Sequence, residues 1–184
     1  MAETSKMIPL GTVAPSFTLP DTISGETKSL EELKSDTATV VMFICNHCPY
    51  VIHVQGQLVQ LAKDYQPKGV SFVAISSNDP VSYPVDAPDK MKEVGLKLGY
   101  PFPYLFDETQ EVAKSYCAAC TPDNYIFDGD LNLVYRGQLD GARPGNQIPV
   151  SGEDVRSALD DLLSGQPVNP VQKPRMGCSI KWKT

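Results

Sequence analysis

The chain has 184 residues, 41% of them hydrophobic, and a formal net charge of −6. That length fits one α/β domain with its own core, and an acidic chain without a basic face gives phosphate backbones nothing to bind, which excludes nucleic acid as a partner. The opening residues MAETSKMIPLGTVAPSF hold no long apolar stretch, so neither a signal peptide nor a membrane span is expected, and a cytoplasmic setting follows. Five cysteines are an odd number for a disulfide framework, and they read as thiols, redox couples or ligands.

Pro15 and Pro20 frame a short strand in SFTL, Gly25 marks a turn, and a short helix is predicted near Ser29 to Leu33. TATVVMFI, residues 37–44, is continuously apolar or β-branched, the pattern of a central strand buried on both faces. From Pro49 to Tyr65, Val51, Ile52, Leu58, Val59, Leu61 and Ala62 recur at helical spacing, with Gly56 a weak point. GVSFVAISSND is a second apolar strand, and Pro88 to Leu98 a further helix. Between them SSNDPVSYPVDAP makes a long loop, either substrate-facing or simply solvated.

YPFPYLFDETQEVAKSY then gives a short strand and a helix, and DNYIFDGDLNLVYRG two strands joined at Asp128-Gly129. Ser151 with Asp154 three residues on resembles a capping pattern for a helix that stops at Gly165. The tail over 166–184 carries three prolines, then Cys178 and Trp182, and is expected to wrap the surface in extended form.

The chemistry gathers in ICNHCPYV, where the central strand runs into the long helix. Residues between a strand and a helix sit at the helix N-terminus, where free N–H groups and the helix dipole stabilise an anion. Pro49 suits the first helical turn, which makes Cys48 the N-cap. A thiol so placed ionises below its usual pKa of about 8.5, so Cys48 is the expected nucleophile. Cys45 is compatible with a disulfide to Cys48 if Asn46 and His47 form a turn. The chain's two histidines, His47 and His53, flank the same stretch, and with Cys45, Cys48 and Cys120 they offer soft ligands for copper(I) or zinc. Against that reading, His53 lies at a different helical angle from Cys48. Farther on, Cys117 and Cys120 precede Thr121-Pro122, where a cis peptide can bring its loop against a neighbouring site; blandly, both cysteines are small buried residues.

These stretches resemble a known family. A strand ending in a cysteine at a helix start, then a Thr-Pro ahead of YIFDGDLNLVYRG, resembles the thioredoxin fold. LGTVAPSFTLPD resembles the peroxiredoxin, or AhpC/TSA-like, branch. FICNHCPYV, YPFPYLFDETQEVAKSY, CTPDNYIFD, VYRGQLDGARPGN and GCSIKWK are similar to a peroxiredoxin-like group of bacterial thioredoxin-family proteins. The resemblance spans nearly the whole chain. It implies one α/β domain over residues 1–184 with a central mixed sheet flanked by helices, an N-terminal extension over 1–36 and a C-terminal tail over 166–184.

Laid on the thioredoxin pattern, Cys48 takes the place of the nucleophilic cysteine, His47 that of the tryptophan and Val51 that of the second cysteine. Thr121-Pro122 takes the place of the Thr and cis-Pro that face the nucleophile, with Cys120 close by. Laid on the peroxiredoxin pattern Pro-x-x-x-Thr-x-x-Cys, Cys48 is the peroxide-attacking residue, but Val41 replaces the proline, Cys45 the threonine, and Pro122 stands near the place of the arginine. The hydroxyl and guanidinium donors that orient peroxide are therefore missing.

The resemblance implies a thiol-disulfide oxidoreductase with Cys48 as nucleophile and Cys45 as resolving thiol. Cys120 and Cys178 are further resolving candidates, and His47 tunes the thiolate or shapes the groove. It implies a disulfide-containing protein or small molecule as substrate, a thioredoxin- or glutathione-type reductant, and no cofactor. The alternatives are a thiol-dependent peroxidase, the copper or zinc site, and a redox-silent binding module on the same scaffold.

Overall fold

A computed structural model describes residues 1–184, and in it the apolar runs of the sequence become strands and its helical spacings helices. In chain order these are β1 (Ala2–Thr4), β2 (Thr18–Pro20), β3 (Thr27–Ser29), α1 (Leu30–Leu33), β4 (Ala38–Phe43), α2 (Pro49–Tyr65), β5 (Val70–Ser76) and α3 (Pro88–Leu98). Then come β6 (Tyr104–Phe106), α4 (Glu111–Ser115), β7 (Cys120–Thr121), β8 (Asp123–Asp128), β9 (Leu133–Gly137), α5 (Glu153–Leu163) and β10 (Met176–Ser179).

The main sheet has the order β6-β5-β4-β8-β9. β4 runs parallel to β5 and antiparallel to β8, and β8 and β9 form the hairpin. All six residues of β4 are buried, as its unbroken apolar run requires. Alternate side chains serve two cores: Val40 and Met42 pack with α2, α3 and α5, while Val41 and Phe43 pack with Phe17, Leu30 and Tyr116. α2 turns Val51, Val54, Leu58 and Leu61 onto the first core, each contributing roughly 1.5–3 kcal/mol by burial. This mixed sheet between helices is the expected thioredoxin fold. No helix is long and apolar enough to cross a membrane.

Two local expectations are corrected. Ser151 is not the N-cap of helix α5, which is Gly152, at φ +72° and without a side-chain cap bond; the Ser151 hydroxyl accepts only the Glu153 N–H, at 3.3 Å. The Asp140 carboxylate accepts from the Ser151 and Gly152 N–H groups at 2.9 and 2.7 Å, and Asp154 is taken up by Gln138 at 2.6 Å. The Asp154 and Val155 N–H groups at the helix start go to the Leu139 carbonyl at 3.2 and 3.4 Å, a tertiary acceptor that serves in place of a local cap.

The tail does more than wrap the surface. Its second half is β10, the middle strand of a three-stranded sheet, paired antiparallel with β1 on one side and β7 on the other. Gly177 permits that approach: a Cβ there would lie 2.2 Å from the Thr121 carbonyl oxygen. Ile180 is buried beyond it, and the Lys181 backbone is held by Asn78, Asp79 and Gln110.

Candidate active site

β4 delivers the chain to Cys45, and α2 begins four residues later with Cys48 as N-cap, its backbone extended at φ −66°, ψ 121°. The Cys48 carbonyl accepts the N–H groups of Val51 and Ile52 at 2.9 and 3.0 Å, closing the first turn and leaving the sulfur at the end of the helix dipole. Across from it lies the cis peptide Thr121-Pro122. Thr121 faces both cysteines: its hydroxyl is 3.5 Å from Cys45 Sγ, and its carbonyl accepts from the protonated Cys48 thiol at 3.2 Å. Because Thr121 is paired with Cys178 in the β7–β10 ladder, the tail brings a third thiol in, with Cys178 Sγ 2.6 Å from Cys48 Sγ.

The negative charge of this cluster belongs on Cys48. Its pKa is pushed down to about 4, chiefly by the neighbouring Cys45 thiol and then, against the opposing cost of burial, by Cys178, Thr121 and the Val51 N–H dipole. The other two thiols move the other way. Cys45 is held far above the usual thiol range by the neighbouring Cys48, by burial and by Asp86, and Cys178 rises to about 11 through burial and its bond to Cys48. Arg175, wholly buried, reaches the carbonyls of Tyr50 and Ala142 at 3.4 and 3.3 Å. Burial and the nearby Arg143 lower it to about 10, so it remains a cation at neutral pH, and its charge is favoured by the Cys48 thiolate.

The 45–48 turn is pinned from outside. Asp86, fully buried, accepts from the Asn46 N–H, from Asn78 and from His47 Nδ1, the last at 2.6 Å. The Asn46 side chain donates to the Val85 carbonyl and accepts from Tyr104, and the His47 ring stacks on Tyr83 at 5.2 Å. An open groove of about 460 Å³ runs beside the turn, lined by Asn46, His47, Pro84, Val85 and Val94 among others.

The fold thus brings together Cys45, Cys48, Thr121, Pro122, His47 and Cys178, and leaves three expected residues apart. His53 is exposed on α2, and the metal-ligand cluster that does form is Cys45, His47 and Asp86, their ligand atoms within 4.8 Å of one another. Cys120 Sγ turns to the Pro122 and Arg175 carbonyls, 3.8 Å from each, and its thiol is raised by burial. Cys117 is exposed, at φ +53° just after α4. Sequence reasoning missed Asp86 and Arg175. The first lies in the Pro- and Asp-rich loop already marked as long; the second follows Pro174 in a stretch with no periodicity at all.

No curated protein matches the chain. Among solved structures, it is 66% identical to an uncharacterized conserved protein of Geobacillus kaustophilus, covering 100% of this chain and 97% of that one, with a TM-score of 0.98. A hypothetical protein of Sinorhizobium meliloti is 44% identical, with 98% of each chain covered and a TM-score of 0.96. The thioredoxin domain of a thiol-disulfide oxidoreductase from Bacteroides vulgatus is 19% identical, covers 71% of this chain and 89% of that one, and shares the fold at a TM-score of 0.61. The AhpC/TSA family matches residues 10–136, a segment that ends within β9 and includes both the Cys45–Cys48 turn and Thr121-Pro122, and the chain belongs to that family.

Proposed function

We propose that the protein is a thiol-disulfide oxidoreductase in which Cys48 attacks a disulfide and a second thiol of the same chain resolves the intermediate. Membership of the AhpC/TSA family supports thiol-based redox chemistry. The observation that carries the finer reading is the Cys48 sulfur itself, an N-cap thiol held as thiolate by hydrogen bonds and in contact with another thiol. Cys45 is the resolving thiol that the spacing offers, and Cys178 the one that the fold adds. The substrate is a disulfide in a protein or small molecule, and a thioredoxin- or glutathione-type thiol returns the site to its reduced form. Replacing Cys48 by Ser is expected to abolish turnover in an insulin-disulfide reduction assay; retained turnover contradicts the proposal.

A second reading is peroxide reduction at the same thiol. It is favoured by the family and by the complete burial of Cys48, which suits a small oxidant. It requires hydrogen peroxide to oxidise Cys48 far faster than it oxidises free cysteine at the same pH, read by stopped-flow competition; equal rates exclude it.

A further inference from the structure

Resting on the oxidoreductase reading, we infer that Cys178, in the C-terminal strand, is the resolving thiol, and that Cys45 remains a thiol throughout the cycle. The first observation is proximity. Cys178 Sγ lies 2.6 Å from Cys48 Sγ, about 0.5 Å beyond a covalent S–S bond, so closing the bond requires little more than a side-chain adjustment.

The second is the rigidity of the competing turn. A Cys45–Cys48 bond would have to form within residues 45–48, which Asp86, Val85 and Tyr104 tie down through Asn46 and His47. Cys45 is also committed to the Thr121 hydroxyl and is 2% exposed. The third is access: Cys48 has no exposed surface, whereas Cys178 is partly open to solvent.

In the reductive half-reaction, the Cys178 side chain turns aside, and the Cys48 thiolate attacks a substrate disulfide R–S–S–R′, forming Cys48–S–S–R and expelling R′–S⁻, which takes a proton from water. Cys178, deprotonated as its proton passes to the departing sulfur, then attacks Cys48 Sγ. The Cys48–Cys178 bond forms, R–SH leaves, and two electrons have passed from the dithiol to the substrate. In the return half-reaction, an external dithiol attacks Cys178, the sulfur it can reach, and Cys48 leaves as thiolate. The second thiol of the dithiol then closes its own disulfide and frees Cys178. Cys48 suits this part because a thiol of low pKa is the better leaving group.

The test uses the full chain with Cys117 changed to Ser, so that the exposed thiol does not react, and 5,5′-dithiobis(2-nitrobenzoate) as the disulfide probe. The parent is expected to expel two thionitrobenzoate equivalents from the site and to yield a Cys48–Cys178 peptide on mapping. Cys178→Ser and Cys178→Ala should each expel one equivalent and retain the adduct on Cys48, whereas Cys45→Ser should still expel two. Two equivalents from both Cys178 variants, or a Cys45–Cys48 peptide in the parent, overturns the assignment while leaving Cys48 as the nucleophile. A Cys48→Ser variant that reacts like the parent overturns the underlying reading as well.

Discussion

Cys48 is buried against Cys178 and Thr121, and its charge depends on how many donors point at it. The neighbouring Cys45 thiol favours the charge most, so removing it should weaken the thiolate more than removing the Thr121 hydroxyl. With Cys117 silenced, iodoacetamide alkylation of Cys48 is expected to be nearly independent of pH from 6 to 8 and to fall away as the pH drops through about 4. Cys45→Ala should move that midpoint up by about 1–2 pH units, and Thr121→Val by less. A wild-type midpoint above 8 would refute the charge assignment. At this scale the sequence made Cys48 legible, because a strand running into Pro49 is a local pattern. Asp86 was not legible: a single acid in a loop has no spacing that ties it to Asn46 and His47 some forty residues earlier.

At the scale of elements, what matters is how closely β10 lies against β7. Gly177 has room for no side chain, since an added Cβ would meet the Thr121 carbonyl carbon at 2.8 Å as well as its oxygen. Gly177→Ala is expected to destabilise the protein by about 1–3 kcal/mol and to slow attack of Cys178 on the Cys48 mixed disulfide, because β10 must back away from Thr121. Gly56→Ala supplies the contrast: a Cβ there meets nothing within 4 Å inside α2, and the change should stabilise by about 0.5–1 kcal/mol. Urea unfolding of both variants checks the pair; equal effects would show that β10 tolerates the displacement. The sequence predicted α2 and α3 with their observed bounds, since each carries several turns of periodic signal. It read β10 as surface chain because MGCS is too short for alternation, and its pairing depends on strands β1 and β7, one at the other end of the chain.

Across the whole molecule, the buried charges behind the site set how stability depends on pH. Asp123, fully buried in β8, has one carboxylate oxygen without a partner, and burial lifts its pKa to about 7 despite the bond from Tyr125. The folded protein therefore binds a proton more readily than the unfolded chain between pH 3.8 and about 7, and this group's contribution makes stability decline as pH rises through that window. Asp123→Asn is expected to raise unfolding free energy at pH 8 by about 2 kcal/mol and to change it little at pH 4, as denaturant titrations at the two values would show. An equal change at both pH values would point to packing instead of charge.

The sequence by itself determined the order of the main-sheet strands and the helices, the central position of β4 and the seat of Cys48 at a helix start, because each follows from neighbours a few residues away. Only the tertiary structure decided which thiol meets Cys48 and which charges surround it. Cys178 is 130 positions from Cys48, and Arg175 is 125 from the Tyr50 carbonyl it reaches. Such contacts come from the β1–β10–β7 pairing and from the fit of Gly177 against Thr121, and no local spacing encodes a partner at that separation.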